Sequence, residues 1–140
     1  MEKPLSQELQ RLETLTRSIQ FAENQLNLAL SLAEIGIWTL NVPNDILDWD
    51  DRMMRLFEVD RADFKPNYAF FQSCLHPDDV KSVNASVKEA MNGEDFDYSY
   101  RVKCRDGGYK KIRGKGKVMF GSCGKPVDFV GVCLVDGGCD

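Results

Sequence analysis

The sequence contains few of the groups that hydrolytic or metal chemistry requires. His76 is its only histidine, and serine, cysteine and zinc hydrolases use histidine as a base or as a ligand. The five cysteines are an odd number, and no two of them have C-x-x-C spacing. We therefore expect reduced thiols, with neither a zinc site nor a disulfide framework. These absences favour a protein that is not an enzyme and holds no metal.

Long apolar segments and excess positive charge are also lacking. No apolar run approaches the roughly 18 residues that would span a bilayer, and the N-terminus has no uninterrupted apolar segment of the signal-peptide type. The net charge of −4 disfavours a dedicated nucleic-acid-binding protein. We therefore expect a cytoplasmic protein that contacts neither a membrane nor nucleic acid. The 140 residues, of which 43% are hydrophobic, are enough for one domain with a core.

The first 33 residues predict one long amphipathic helix. Large apolar residues recur at a spacing of seven, with a second line of apolar residues beside them, and such a narrow stripe is typical of a coiled coil. Thr16 and Glu23 interrupt the second line. The predicted dimer interface consists of Leu5, Leu9, Leu12, Ile19 and Leu26. The alternative is a helix that folds back onto its own domain.

The remaining residues predict an α+β fold. Alternating apolar residues on either side of the turn at 43–45 indicate a hairpin, and Asp50 is a suitable N-cap for a short helix. A longer helix begins at Pro77, and three strands follow between 96 and 135. The last strand is apolar on both faces, which is typical of a central strand. The expected architecture is a five-stranded antiparallel sheet with helices inserted between strands two and three, preceded by the long N-terminal helix.

Six short motifs occur in a fixed order along this pattern. They are GIW at 36–38, LDWD at 47–50, LHPDD at 75–79, YRV at 100–102, DG at 106–107, and GKP at 124–126 with GV at 131–132. Together they resemble a PAS domain of the subclass found in bacterial sensor histidine kinases and diguanylate cyclases.

The resemblance implies a domain organisation and a function. It implies a sensory domain at 34–136, which follows the N-terminal helix predicted at 1–33 from its apolar repeat and precedes a tail at 137–140. It further implies a sensory and dimerisation module of a sensor histidine kinase, joined to an effector domain of the same polypeptide. The alternatives are a diguanylate cyclase module and a stand-alone domain that binds a small molecule.

Two features depart from the family pattern. The family usually has a tryptophan in the fourth strand, where this chain has Lys111. It also usually ends in an Asp-Ile-Thr-like triplet that leads to the effector, whereas residues 135–137 are VDG. The junction through which a signal leaves the domain therefore differs from that of the family.

A ligand pocket is expected between the inner face of the sheet and the helices. Gly114 and Gly116 stand where bulky residues could pack, and we expect them to leave space. The candidate lining residues are Met53, Met54, Phe57, Tyr98, Tyr100, Ile112, Gly114 and Gly116. The alternative is a filled core in which the glycines are set by strand geometry.

Neither haem nor covalently bound flavin fits the sequence well. Some PAS relatives bind haem through a histidine on a helix, but His76 precedes its helix. Flavin-binding light sensors of the superfamily carry an Asn-Cys-Arg-Phe-Leu-Gln segment, whereas Cys74 lies in FQSCL. We therefore expect no cofactor and leave the identity of a ligand open.

Positive charge is concentrated on the outer face of the fourth strand. Lys111, Arg113, Lys115 and Lys117 alternate with inward-facing residues. Aromatic residues that could stack on bases are absent from this row. We expect a solvated sheet face.

Overall fold

The computed structural model describes residues 3–137. The chain forms two compact units, and the boundary between them along the chain falls between Ala33 and Glu34. The elements are α1 (Lys3–Leu32), β1 (Gly36–Asn41), β2 (Ile46–Trp49), α2 (Asp51–Leu56), a 3-10 helix (Arg61–Asp63), α3 (Tyr68–Ser73), α4 (Pro77–Met91), β3 (Phe96–Lys103), β4 (Tyr109–Phe120) and β5 (Pro126–Gly137). The fold is α+β, as expected. Of the tail predicted at 137–140, Gly137 belongs to β5, and the last three residues lie outside the described part of the chain.

The N-terminal unit is the single helix α1. Glu34 has a φ of 56°, and this left-handed conformation ends the helical path directly after α1. The apolar stripe of α1 is exposed, with relative exposures between 53% and 65%. The exposed residues of the stripe are Leu5, Leu9, Leu12, Ile19 and Leu26.

The second unit is built on a five-stranded antiparallel sheet with the order β2-β1-β5-β4-β3. The last strand, β5, is central, which confirms the prediction from its two apolar faces. Helices α2, α3 and α4 lie in the chain between β2 and β3. Val83 and Ala90 of α4 are fully buried in the core that the helices share with the inner face of the sheet.

Side-chain caps mark the start of three helices, among them α2 and α4. The Asp50 carboxylate accepts a hydrogen bond from the backbone N–H of Met53 at 2.8 Å, at the start of α2. His76 Nδ1 accepts from the backbone N–H of Asp78 at 3.0 Å, at the start of α4. The His76 ring also packs against Tyr109, with ring centroids 4.5 Å apart. The His76 side chain therefore caps α4 and packs against Tyr109.

An ion pair connects the first turn of α4 to β3. The Asp79 carboxylate accepts from Arg101 Nε at 3.0 Å, from Arg101 Nη2 at 2.7 Å and from the Arg101 backbone N–H at 2.8 Å. The hydrogen bonds from the Arg101 side chain, together with its charge, lower the pKa of the Asp79 carboxyl below its usual value. Asp79 also lies in the first turn of α4, where its negative charge interacts favourably with the helix dipole.

The cationic row of β4 lies on the outer face of the sheet, as the alternation predicted. Lys111, Lys115 and Lys117 are exposed, whereas Ile112 and Val118, on the opposite face of the strand, are buried. Arg113 forms a two-pronged pair with Asp97 of β3, with both N–O distances at 2.8 Å. Part of the positive charge is therefore compensated within the sheet.

The cysteines depart from the expectation of reduced thiols at one position. Cys74, Cys123 and Cys133 are free thiols, but Cys104 is disulfide-bonded. Pairing depends on which residues the fold brings within bonding distance. The odd number and the spacing of the cysteines could not reveal that distance.

Candidate functional site

A small cavity of about 40 Å³ lies between the inner face of the sheet and the helices. All of its walls come from the second unit. The sheet contributes Trp38, Leu40, Leu47, Trp49, Phe96, Tyr100, Phe129 and Cys133. The helices contribute Met53 from α2, Tyr68 and Phe71 from α3, and Val87 from α4.

The Trp38 indole lines the sheet side of the cavity. It packs directly on two glycines of neighbouring strands. The strand register aligns Trp38 with Gly131 and Gly131 with Gly116. A Cβ at Gly116 would be 2.6 Å from Cη2 of Trp38, and a Cβ at Gly131 would also collide with the indole. The indole meets Phe129 edge-on, with ring centroids 4.6 Å apart. Any side chain larger than hydrogen at either glycine would therefore displace the indole.

The space above the two predicted glycines is filled, in contrast to what the sequence led us to expect. Trp38 covers Gly116, and at Gly114 an added Cβ would lie 3.0 Å from the Tyr100 hydroxyl and 3.1 Å from the Phe96 ring. The alternation of β4 shows that the glycines face inward. The alternation does not show how aromatic side chains of other strands pack over this face. The positions of these aromatic rings determine where the empty volume lies.

The predicted pocket residues fall into two groups. Met53 and Tyr100 line the cavity. The others pack around it without lining it: Met54, Phe57 and Ile112 in the buried core, Tyr98 partly buried against the core, and Gly114 and Gly116 under the aromatic rings. The sequence-based list omitted both tryptophans and the α3 residues. The alternation of β1 and the aromatic run at 68–71 are the signals that could have found them.

The most deeply buried polar groups of the cavity pair with each other. The Tyr100 hydroxyl lies 3.3 Å from the Cys133 Sγ, and either atom can be the donor. Burial raises the pKa of Tyr100 well above its usual value and raises the pKa of the Cys133 thiol to about 12. Both groups are therefore neutral at pH 7, and Cys133 lacks the thiolate that nucleophilic or redox chemistry requires.

Helix α3, which walls one side of the cavity, is attached to α4 through a single acceptor. Asn84 Oδ1 accepts from the Tyr68 hydroxyl at 2.7 Å and from Gln72 Nε2 at 3.0 Å. At the start of α3, the Asp45 carboxylate accepts from the Tyr68 backbone N–H at 3.0 Å. Burial raises the pKa of Tyr68 to about 12, so its hydroxyl remains a donor. Asn84 thus holds two α3 side chains in place beside the cavity.

Within residues 3–137, no three His, Cys, Asp or Glu side chains are grouped so that they could hold a metal ion. Nor does any helix of that range have the length and apolar character needed to cross a membrane. The cavity does not fit haem or flavin, because ligand sites of drug size occupy about 300–1,000 Å³ and this one measures about 40 Å³. His76 is also not among the residues that line it.

The fold corresponds to a known class of domain. The family model described as the PAS fold matches residues 46–133. The chain therefore belongs to the PAS family, a family of sensory domains that occur within signalling proteins.

Two curated proteins are similar to this chain in sequence. Over 101 residues, 71% of this chain, it is 27% identical to the probable diguanylate cyclase DgcE of Escherichia coli K12, covering 9% of that protein. Over 101 residues it is 29% identical to the sensor protein FixL of Bradyrhizobium diazoefficiens, covering 20% of that protein. The matched region thus spans a fifth or less of the length of these relatives.

Solved structures support the same fold. A crystal structure of a sensory box histidine kinase/response regulator from Burkholderia thailandensis superposes with a TM-score of 0.68 at 24% identity. The match covers 81% of this chain and 85% of that one. At this identity the similarity shows the fold alone.

Proposed function

We propose that this chain is the sensory and dimerisation module of a bacterial multidomain signalling protein and is not itself an enzyme. The observation that carries the proposal is the apolar cavity of the PAS domain, walled by three helices that come from separate points of the chain. A ligand in such a site contacts α2, α3 and α4 together, and it can favour one arrangement of these helices by its differential affinity.

The parent protein that we propose is a sensor histidine kinase located in the cytoplasm. The similarity to a sensor protein supports this, and the diguanylate cyclase relative supports a cyclase as the second candidate. A stand-alone binding domain is the third. The reading frame that follows Asp140 discriminates among them, since it would encode a kinase domain, a cyclase domain or neither.

We further propose that two copies associate through the apolar stripe of α1 and that the effector domain of the same polypeptide is the receiver of the signal. The stripe residues are more than half exposed. Burying each leucine against a second copy would contribute roughly 1.5–3 kcal/mol before the cost of ordering the side chains. We propose no nucleic-acid partner, because the cationic row of β4 lacks stacking aromatics and Arg113 is paired with Asp97.

A thermal-shift screen tests the sensory role. A ligand at about 100 times its dissociation constant stabilises the fold by about 2.7 kcal/mol, a melting shift of roughly 5–10 °C. The screen should include small metabolites, volatile apolar compounds, haem and flavins. Val87→Phe places a ring in the cavity and should abolish the shift. Val80→Phe, two turns earlier on α4 and packed against the core without lining the cavity, should retain it. A screen without any shift that depends on Val87 would contradict the sensory role.

A further inference from the structure

We infer that the ligand of the cavity is an uncharged apolar molecule of only a few heavy atoms, and that the site excludes haem, flavins and organic acids. This inference rests on the proposed sensory function, which any ligand of the cavity would satisfy.

The size of the cavity limits the size of its ligand. The cavity of about 40 Å³ is far smaller than the roughly 300–1,000 Å³ of sites that bind drug-sized ligands, so it admits only a small molecule. The walls are closely packed side chains of the core, and Trp49, Met53 and Cys133 are each 1–2% exposed. A larger ligand would have to displace these side chains from a packed core, which loses their burial and their mutual contacts.

The polarity of the cavity walls favours an uncharged ligand. Among the described residues that line the cavity none carries a charge, and both tyrosine hydroxyls that line it have partners within the protein. The Tyr100 hydroxyl pairs with the Cys133 thiol, and the Tyr68 hydroxyl donates to Asn84. A ligand with a charge would lose its hydration without replacement, which is strongly unfavourable in an apolar site. An apolar ligand requires no such replacement.

Ligand binding in the cavity can be detected through the two tryptophans. The sequence has two tryptophans, and both Trp38 and Trp49 line the cavity. Their two indole N–H signals in a ¹⁵N–¹H NMR spectrum therefore report on occupancy directly. The signals can be assigned with Trp38→Phe.

The test titrates the full chain with xenon under pressure as the small apolar probe. Acetate serves as a small charged probe, and hemin and flavin mononucleotide serve as large ones. We expect xenon to shift both indole signals saturably. We expect Val87→Phe to raise the apparent dissociation constant at least tenfold, and Val80→Phe to leave it within twofold. Leu47→Phe fills the cavity from the sheet side and replaces Val87→Phe if that variant does not fold.

Each alternative outcome has a defined meaning. Saturable shifts with acetate, hemin or flavin mononucleotide that Val87→Phe abolishes would overturn the inference while supporting the sensory function. Xenon shifts that Val80→Phe abolishes as strongly as Val87→Phe would place xenon elsewhere and also overturn it. If xenon gives no shift, the inference fails, and the thermal-shift screen then decides separately whether the sensory function fails with it.

Discussion

The indole of Trp38 lies across Gly116, which is two strands away in the sheet, so closely that a Cβ at Gly116 would be 2.6 Å from the ring. Gly131 of the intervening strand β5 permits this approach as well. The position of the Trp38 indole thus requires glycine at two positions, Gly131 in β5 and Gly116 in β4. The same tryptophan forms part of the wall of the cavity.

This relationship predicts the effect of adding one methyl group to β4. Gly116→Ala should lower the free energy of unfolding by about 1–3 kcal/mol, because the indole and the surrounding core must shift. Gly114→Ala is the matched control two residues earlier, where the nearest side-chain atom would be 3.0 Å away, and its cost should be smaller. Urea denaturation measures both. An equal or reversed order would contradict the packing described.

The attachment of α3 to α4 predicts a second order of stabilities. Asn84→Ala leaves the Tyr68 hydroxyl and the Gln72 amide without their acceptor. It should lower the free energy of unfolding by about 1–3 kcal/mol. Tyr68→Phe removes one donor and leaves the Gln72 bond to Asn84 intact, so its cost should be smaller, about 0.5–1.5 kcal/mol. Adding Tyr68→Phe to Asn84→Ala should cost little more than Asn84→Ala alone. Full additivity in this double-mutant cycle would show that the hydrogen bond is not formed.

The buried thiol predicts a loss of stability in alkaline solution. The pKa of Cys133 is raised from 9.0 to about 12 in the folded chain, so between these values the folded state retains a proton that the unfolded state loses. Stability from this group is fully present below about pH 9 and is lost as pH rises toward 12. Across that window it contributes a slope of about −1.4 kcal/mol per pH unit.

Substitution isolates the contribution of this thiol. In urea denaturation between about pH 8 and pH 11, Cys133→Val should show a shallower decline than the wild type. Cys123→Val is the control, since Cys123 is an exposed free thiol. If Cys133→Val and the wild type decline in parallel, Cys133 is not protected from ionisation in the folded state.

Much of the fold follows from local patterns in the sequence. Alternating residues predicted which side of β4 faces the core, and Ile112 and Val118 are indeed buried while Lys111 and Lys117 are exposed. Two apolar faces predicted the central position of β5. These features follow from periodicity and depend little on distant contacts.

The location of the empty volume could not be predicted in the same way. Periodicity identifies the face on which a residue lies, but it does not show how far a ring from another strand extends over that face. Trp38 reaches over Gly131 and Gly116 only because β5 stands between β1 and β4. The predicted list therefore included the glycines and omitted the indole that covers one of them.

We propose that α1 mediates dimerisation and that the second unit is responsible for sensing. Sedimentation velocity of the full chain at high micromolar concentration, combined with its thermal melt, tests this claim most directly. The key variant carries Leu9→Asp and Leu12→Asp in the stripe. The control carries Gln10→Asp and Thr14→Asp, two polar positions of the same helix.

We expect the wild type and the control to sediment as dimers, whereas the stripe variant should sediment as a monomer. We also expect the stripe variant to retain the ligand-induced melting shift of the second unit, because Leu9 and Leu12 do not line the cavity. A monomeric wild type, or a stripe variant that has lost the ligand response, would contradict this division of roles.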